Sequence, residues 1–522
     1  ISFQVTFGFE IPASAVAITI MLFCGIFLLN LVKNILQVHL SNPVELLKGG
    51  NTGEKEPKTK WPMAAAGAVC LGAGYYIALT TESPLAALSV FFIAVVLVIA
   101  GTYCLFTAGS IAILKILRGN KKYYYTIKHF TSVSGMIYRM KQNAAGLANI
   151  CILSTMVIAM VSTTVSLYIG MEDVLRARYP RNIVVTAWKV SDSFTGKLDE
   201  IIGGQTEKAG IVPQNVVRYR YTDVMAVQDG ASFTGRRSSN VDMSGNLANL
   251  TCVTFITLDE YNRMDKQSES LSDGETFLYT LKGSIPGDTV DFDGLKLSVK
   301  KRLDTLPTEG GAAASLTNGY YMIVKDEDTI GKIISSIGGS DDAAGLSYYY
   351  GFDVDGGRDV QIKIVNALNA VFDNNKINNA YAEGAESSRA SFYTLYGGLF
   401  FLGMFLGLLF VMATVLIIYY KQIAEGFDDR DRFAIMQKVG MSRDEVKKSI
   451  RSQILTVFFA PLAVAVIHLL FAFKVITKLL TVFNLTNVPL FAACMAVTVI
   501  VFALFYTAIY ALTARTYYRI VS

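Results

Sequence analysis

The chain has 522 residues, 52% of them hydrophobic and 17% charged, with a mean hydropathy of +0.40. A wholly soluble protein is excluded by that balance, which describes a membrane protein with a sizeable soluble part. The net charge of +5 hides a division. Residues 171–390 hold 23 Lys/Arg against 31 Asp/Glu, a net of −8, so the remainder carries +13 (24 basic, 11 acidic). An acidic domain on one side of a membrane and basic loops on the other is what the positive-inside bias predicts.

In chain order, the first apolar run covers about Ile11 to Val32. It is long enough to cross a bilayer, which needs roughly 20 residues. The chain begins with Ile1 and shows no basic n-region or cleavage site before this run, so it is expected to be a piece lacking its natural N-terminus. The following loop carries Lys48, Lys55, Lys58 and Lys60, and Pro43 and Gly49-Gly50 end local helix. Span two starts at the interfacial anchor Trp61 and is rich in small residues, among them Gly67, Gly72 and Gly74. Such residues either admit a neighbouring helix closely or mark a merely flexible span. Span three runs from Pro84 to about Leu114. The loop after it holds Lys115, Arg118, Lys121, Lys122, Lys128, Arg139 and Lys141 with no acidic residue, which places it in the cytoplasm. Its second half reads as a helix along the membrane that bends into span four, Gln142 to Gly170. Met136, Ile137 and Met140 share a face there, and Met136, Arg139, Met140 and Lys141 form a candidate cytoplasmic elbow.

Residues 171–390 read as a mixed α/β extracellular domain. RNIVVTAW, NVVRYRYTDVMAV, TCVTFITL and LKLSVKKRL have strand character. LDEYNRM, EDTIGKIISSIGG and DVQIKIVNALNAVFDNN have helix character. The run Tyr348-Tyr349-Tyr350 is either an ordinary strand or a ligand platform.

Span five covers about Ser391 to Tyr420, and the loop 421–451 follows. In it, a short helix near Asp428 to Lys438 puts Phe433, Met436 and Val439 on an apolar stripe beside Arg432 and Lys438. Gly440 breaks that helix, and Ser442 with Glu445 makes a capping box for a second. A rigid helix here can pass force from a soluble partner to the flanking spans; one that only rests on the headgroups is the other reading. Span six, Ser452 to Phe473, includes Pro461 and His468. Span seven runs from Val488 to Leu512 and ends in a basic tail. Lys474 and Lys478, outside after span six, are the mild exception to the charge rule.

Five of the six cysteines lie in apolar runs and only Cys252 in the soluble domain, so that domain has no internal disulfide. Neither a phosphate loop G-x-x-x-x-G-K-[ST] nor an H-E-x-x-H or paired-cysteine zinc pattern is present; a catalytic role has little support, and nothing has metal-ligand spacing. His468 inside a span is either functional by its position or a neutral side chain hydrogen-bonded between helices.

Three stretches carry a family resemblance: NPVELLKGGNTGEKEPKTK (42–60), SGMIYRMKQNAAGLA (134–148) and FAIMQKVGMSRDEVKKSIRSQILTVFFAPLAVAVIHLLFAF (433–473). They resemble FtsX-like permeases of ABC transporters, in the bacitracin-export (BceB-like) branch. The resemblance implies ten spans, so that three spans and a first coupling loop would precede Ile1. It also implies a separate ATPase subunit, in two copies, that binds ATP and Mg and docks on the cytoplasmic loops. Arg432, Phe433, Met436, Val439, Gly440 and Met441 would then be the coupling segment. Mechanical transmission to the extracellular domain, resistance to peptides that seize cell-wall lipid intermediates, and a sensor histidine kinase as a further partner are implied likewise.

The expected architecture is an α-helical polytopic membrane protein of the bacterial cytoplasmic membrane. Four spans (1–170) and three spans (391–522) flank the extracellular domain (171–390). The protein is expected to be a permease and not an enzyme, with no cofactor of its own. Its partners would be the ATPase, membrane lipids and a peptide antibiotic or cell-wall lipid intermediate, with no nucleic acid. The alternatives are a sensor or scaffold for a kinase that moves no substrate, and a lipoprotein-type exporter of the same superfamily.

Overall fold

The computed structural model describes residues 12–40, 60–125, 127–235, 249–265, 268–306, 317–337, 345–438 and 443–521. Two compact units are present, residues 1–58 and 59–522. Of the first, the helix α1 (Ala13–Leu40) is described; it is apolar enough to cross a membrane over Ala13–Leu36.

Six more helices of the second unit are long and apolar enough to span. The first, α2 (Trp61–Thr80), packs on α3 (Pro84–Cys104). Here the small residues act as a close-approach surface. A Cβ added at Gly67 would come within 2.6 Å of the Cys104 Cβ, and one at Gly74 within 2.8 Å of Val98 Cγ2. Gly72 faces open space, so the helical period selects which small residues count. Span three continues through a π-helical turn (Leu105–Gly109) into α4 (Ser110–Gly119).

The elbow and span four form one uninterrupted helix, α5 (Ile127–Ile169). The sequence expected a membrane-parallel piece and a bend. No proline interrupts this stretch, and Gly135 and Gly146 are carried within the helix. Ile137 and Met140 are buried, and Met136 packs against the same cluster, with Phe106, Ile111 and Leu114 from span three and Val457 from span six.

The loop 421–451 also differs from expectation. Its first helical piece is the end of α11 (Ala385–Lys438), a single helix that includes span five. Its second is the start of α12 (Arg443–Val482). Residues 439–442, with the expected break at Gly440 and cap at Ser442, lie outside the described residues. The last span is in α13 (Val488–Val521).

Between α5 and α11 lies the α/β domain. After α6 (Met171–Arg178) come β1 (Ile183–Ala187), α7 (Asp192–Lys208), β2 (Gln214–Asp229), β3 (Ser232–Thr234), β4 (Leu250–Thr257), α8 (Leu258–Asp265), β5 (Glu275–Lys282), β6 (Thr289–Phe292), β7 (Leu295–Leu303), β8 (Asn318–Val324), α9 (Glu327–Ser336), β9 (Ser347–Asp353), α10 (Arg358–Asn374) and β10 (Ala380–Gly384). The long β2 belongs to two layers. Residues 214–221 pair with β9 in the antiparallel sheet β10-β1-β9-β2. Residues 222–229 pair with β4 and β3, and the order β2-β3-β6-β7-β5-β8-β4 returns to β2, closing a barrel. Closure leaves the barrel no free edge. Phe233, Phe255, Phe292, Tyr320 and Met322 fill one of its clusters.

The tyrosine run is ordinary β9. Tyr348 and Tyr350 pack with α7 and α10, while Tyr349 turns to the opposite face with Tyr219 and Tyr321. Alternation along a strand requires this division. Arg220 on β2 draws three helices together through Asp192, Glu260 (2.7 Å) and Glu327 (3.2 Å).

Asp353 at the end of β9 gives the domain an acid-sensitive joint. Burial pushes its carboxyl up, but donors from Asn215 (3.0 Å), the Asn182 backbone (3.0 Å) and Arg181 (2.9 Å) outweigh it and hold the group below its ordinary value. A depressed folded-state value stabilises above the ordinary carboxylate range, and that stability is lost as pH falls through the folded value. Thermal melts of the full chain between pH 7 and 3 should therefore show a fall that Asp353→Asn flattens. An equal acid slope in that variant would locate the sensitivity elsewhere.

Candidate coupling site at the cytoplasmic ends of the spans

Helices α5 and α11 run side by side, and each carries polar residues at fourfold spacing: Arg139 and Asn143 on α5, Lys421, Glu425 and Asp429 on α11. Residues four apart stack on one helix face, so the two stripes meet as a ladder. The Arg139 guanidinium donates to the Asp429 carboxylate and the Asn143 amide to the Glu425 carboxylate. One turn further into the membrane the Lys421 stem lies over Gly146, and its ammonium stands 3.8 Å from Glu425.

A third helix completes the first rung. The Tyr517 hydroxyl of α13 donates to Asp429 Oδ2 (2.6 Å) and lies 3.4 Å from Arg139 Nη2. Arg139 and Asp429 are each only 3% exposed. Burial alone would lower the Arg139 pKa; Asp429, with Glu425 and Tyr517, more than offsets this and holds it above its ordinary value. Such a pair is costly to desolvate and very costly to break.

Of the sequence-predicted elbow residues, Arg139 and Met140 are buried and Met136 is half-buried; Lys141 lies on α5, its side chain outside the described set. Arg432, Phe433 and Met436 lie on α11 within two turns of Asp429, their side chains also outside it. Val439, Gly440 and Met441 fall wholly outside the described residues. Asn143, Glu425, Asp429 and Tyr517 were missed. The signal was present: two acids four apart close an otherwise apolar run, and the elbow holds an arginine and an amide four apart with no acid of its own.

His468 lies between spans. The Tyr75 hydroxyl is 2.6 Å from Nδ1, and Nε2 is 3.0 Å from the Thr102 hydroxyl. Thr102 donates its own proton to the Val98 carbonyl (2.6 Å), so it accepts from Nε2–H, and Tyr75 donates to Nδ1. This is a neutral histidine with both nitrogens satisfied, holding span six to spans two and three. His468→Leu should cost about 1 kcal/mol, the scale of hydrogen bonds between membrane helices, and leave activity in place. Loss of activity in a stably folded variant would give the histidine a further role.

Pro461 on α12 is buried. Having no amide hydrogen, it denies the Val457 carbonyl its helical partner, and next to it the Phe458 carbonyl accepts from the Tyr506 hydroxyl of span seven (2.8 Å). Among the described residues no group of three His, Cys, Asp or Glu converges as a metal site.

At the outer membrane face a second polar joint ties the domain to the spans. Arg389 of α11 grips Glu172 of α6 through two bonds (2.5 and 3.1 Å) and also Glu386 (2.9 Å). Asn487, just before α13, donates to Asp173 (2.9 Å).

Residues 399–519 match the family described as FtsX-like permease C-terminal. The chain is 25% identical over 471 residues to the bacitracin export permease protein BceB of Bacillus subtilis, covering 87% of this chain and 69% of that protein. It is 25% identical over 478 residues to the ABC transporter permease protein YxdM of the same organism (89% and 70%) and 22% identical over 486 residues to the BceB of Halalkalibacterium halodurans (90% and 71%). The chain carries an FtsX-like permease domain in a multi-pass protein of the cytoplasmic membrane with an extracellular α/β domain. Its relatives are permeases, and it is a permease and not an enzyme.

Proposed function

We propose that this permease is the membrane subunit of an ABC transporter that protects a bacterium from peptides acting on cell-wall lipid intermediates. A separate ATPase, in two copies, supplies the energy and binds the ATP and Mg. The domain division 1–170, 171–390 and 391–522 is part of the same reading. So is the assignment of Arg432, Phe433, Met436, Val439, Gly440 and Met441 to ATPase coupling. The observation that carries it is α11. One helix of 54 residues begins immediately after β10 of the extracellular sheet and continues to Lys438, inside the proposed coupling segment. At 1.5 Å per residue it is about 80 Å long, a rigid lever from the ATPase side to the domain. Arg139 and Asp429 clamp its cytoplasmic end, and Arg389 its outer end. Similarity to permeases named for bacitracin export supports the substrate class.

The test is survival of a susceptible bacterium on a panel of lipid-targeting peptides, with the gene expressed beside its partner ATPase. Met436→Glu or Gly440→Pro should abolish protection with the protein still folded and in the membrane, as should an inactivated ATPase. Protection unchanged by these substitutions would sink the coupling assignment. If kinase signalling to the peptide persisted with an inactive ATPase and no protection was ever seen, the protein would be a sensor.

A further inference from the structure

Between α5, α11, α12 and α13 the structure holds a small cavity whose wall is largely aliphatic but includes Lys421, Gln422, Glu425, Val457, Phe458 and Tyr506. Gln422 is 6% exposed, and neither its amide nitrogen nor its oxygen meets a protein partner among the described residues. Leaving one such buried group unpaired is expensive, and here two stand on one side chain. Val457 lines the same cavity from α12, and Pro461 deprives its carbonyl of the helical amide. Tyr506 is committed to the Phe458 carbonyl, so it does not complete Gln422. The cavity measures about 20 Å³, enough for one water, which needs roughly 10–15 Å³ on that scale and two to four polar partners.

We propose that this cavity is a water-binding site. An ordered water accepts from the Gln422 amide and donates to its neighbours' oxygens, among them the proline-freed Val457 carbonyl, with the Lys421–Glu425 pair at its edge. The consequence is mechanical. Where α11 meets α12 below Pro461, the contact is made through water and not by a direct protein hydrogen bond, and a water-mediated bond is nearly as favourable as a direct one at small entropic cost. The ladder of Arg139 and Asp429 is a direct joint; this one is not. The site does not depend on what the protein transports.

Two measurements on the full chain in phospholipid nanodiscs decide it. The first is hydroxyl-radical footprinting by X-ray radiolysis, which generates the radical from water where water sits. Phe458 and Tyr506 should be oxidised despite their burial, while Phe491, 1% exposed and about four helical turns before Tyr506 on α13, is spared. Gln422→Leu should abolish that oxidation, and Gln422→Asn should keep it. The second is the melting temperature. If water satisfies the amide, Gln422→Leu lowers it, because the water and the Val457 carbonyl lose their partner. If the cavity is dry, the same change relieves two unpaired groups and the melting temperature stays or rises. A dry cavity, a Gln422→Leu footprint equal to the parent's, or protection of Phe458 that vanishes only on delipidation would each overturn the proposal, the last by naming a lipid as occupant.

Discussion

Arg139→Met and Asp429→Leu are each expected to destabilise the protein by about 3–5 kcal/mol, the usual cost of stranding one member of a buried ion pair. Both groups are almost fully enclosed, and the partner left behind has no water to turn to. Tyr517→Phe should cost less, about 1.5–3 kcal/mol, since it removes a single hydrogen bond to a charged acceptor. The double variant Arg139→Met/Asp429→Leu should recover much of the loss, because two apolar side chains of similar volume replace the pair. Melts in nanodiscs of the parent, Arg139→Met, Asp429→Leu and the double variant form a double-mutant cycle that isolates the pair from the rest of the ladder. An Asp429→Leu protein that melts like the parent would show that the pair is not closed in the membrane. The double variant also separates stability from function: if the ladder transmits movement between α5 and α11, that protein folds but does not protect cells from peptide.

Gly403→Val is expected to separate α11 from α5 by overpacking. A Cβ at Gly403 would run into Thr164 Oγ1 and lie 2.6 Å from its Cγ2 and 2.9 Å from its Cβ. Thr164 cannot rotate both branches away, and one turn on Gly407 meets Val161 at 3.0 Å. Inserting methyl groups into such a contact costs typically 1–3 kcal/mol. Gly403→Val should fall at the upper end and Gly403→Ala below it, and Thr164→Ala should rescue both in part. Equal melting temperatures for the parent and Gly403→Val would mean that the helices are not in this contact in the bilayer. These glycines sit in the middle of the proposed lever, so the same substitutions test whether α5 and α11 must stay in contact for protection.

Particular elements show what could be seen in advance. Strands β1, β2, β4 and β7 were legible because each alternates or runs apolar between turn residues. The hairpin β6–β7 was legible too, though it was not read: Asp293 and Gly294 both have positive φ (51° and 101°), and Asp-Gly is the dipeptide that a two-residue hairpin turn prefers. The helix α7 escaped notice because its sequence, DSFTGKLDEIIGGQTEK, is rich in glycine and polar residues and buries little beyond Leu198, Ile202 and Thr206. In the loop 421–451, span five and the helix near Asp428 to Lys438 were read as separate pieces. The charged residues instead continue the helix of span five, since nothing before Lys438 stops an α-helix once it has formed.

Seven membrane-length apolar helices among the described residues and the α/β nature of the inserted domain were determined by local chemistry: run length, period and turn residues. Those properties are written in neighbouring residues and need no folding to be read. The ladder was decided only by tertiary structure. Arg139 and Asp429 are 290 positions apart, and each alone is merely a charge at the polar end of an amphipathic helix. The same holds for His468, whose neutrality follows from Tyr75 and Thr102 on other spans, and for the barrel, which closes because one strand bends from a sheet into it. A side chain's partner depends on which helices become neighbours, and that is fixed by packing across the whole chain.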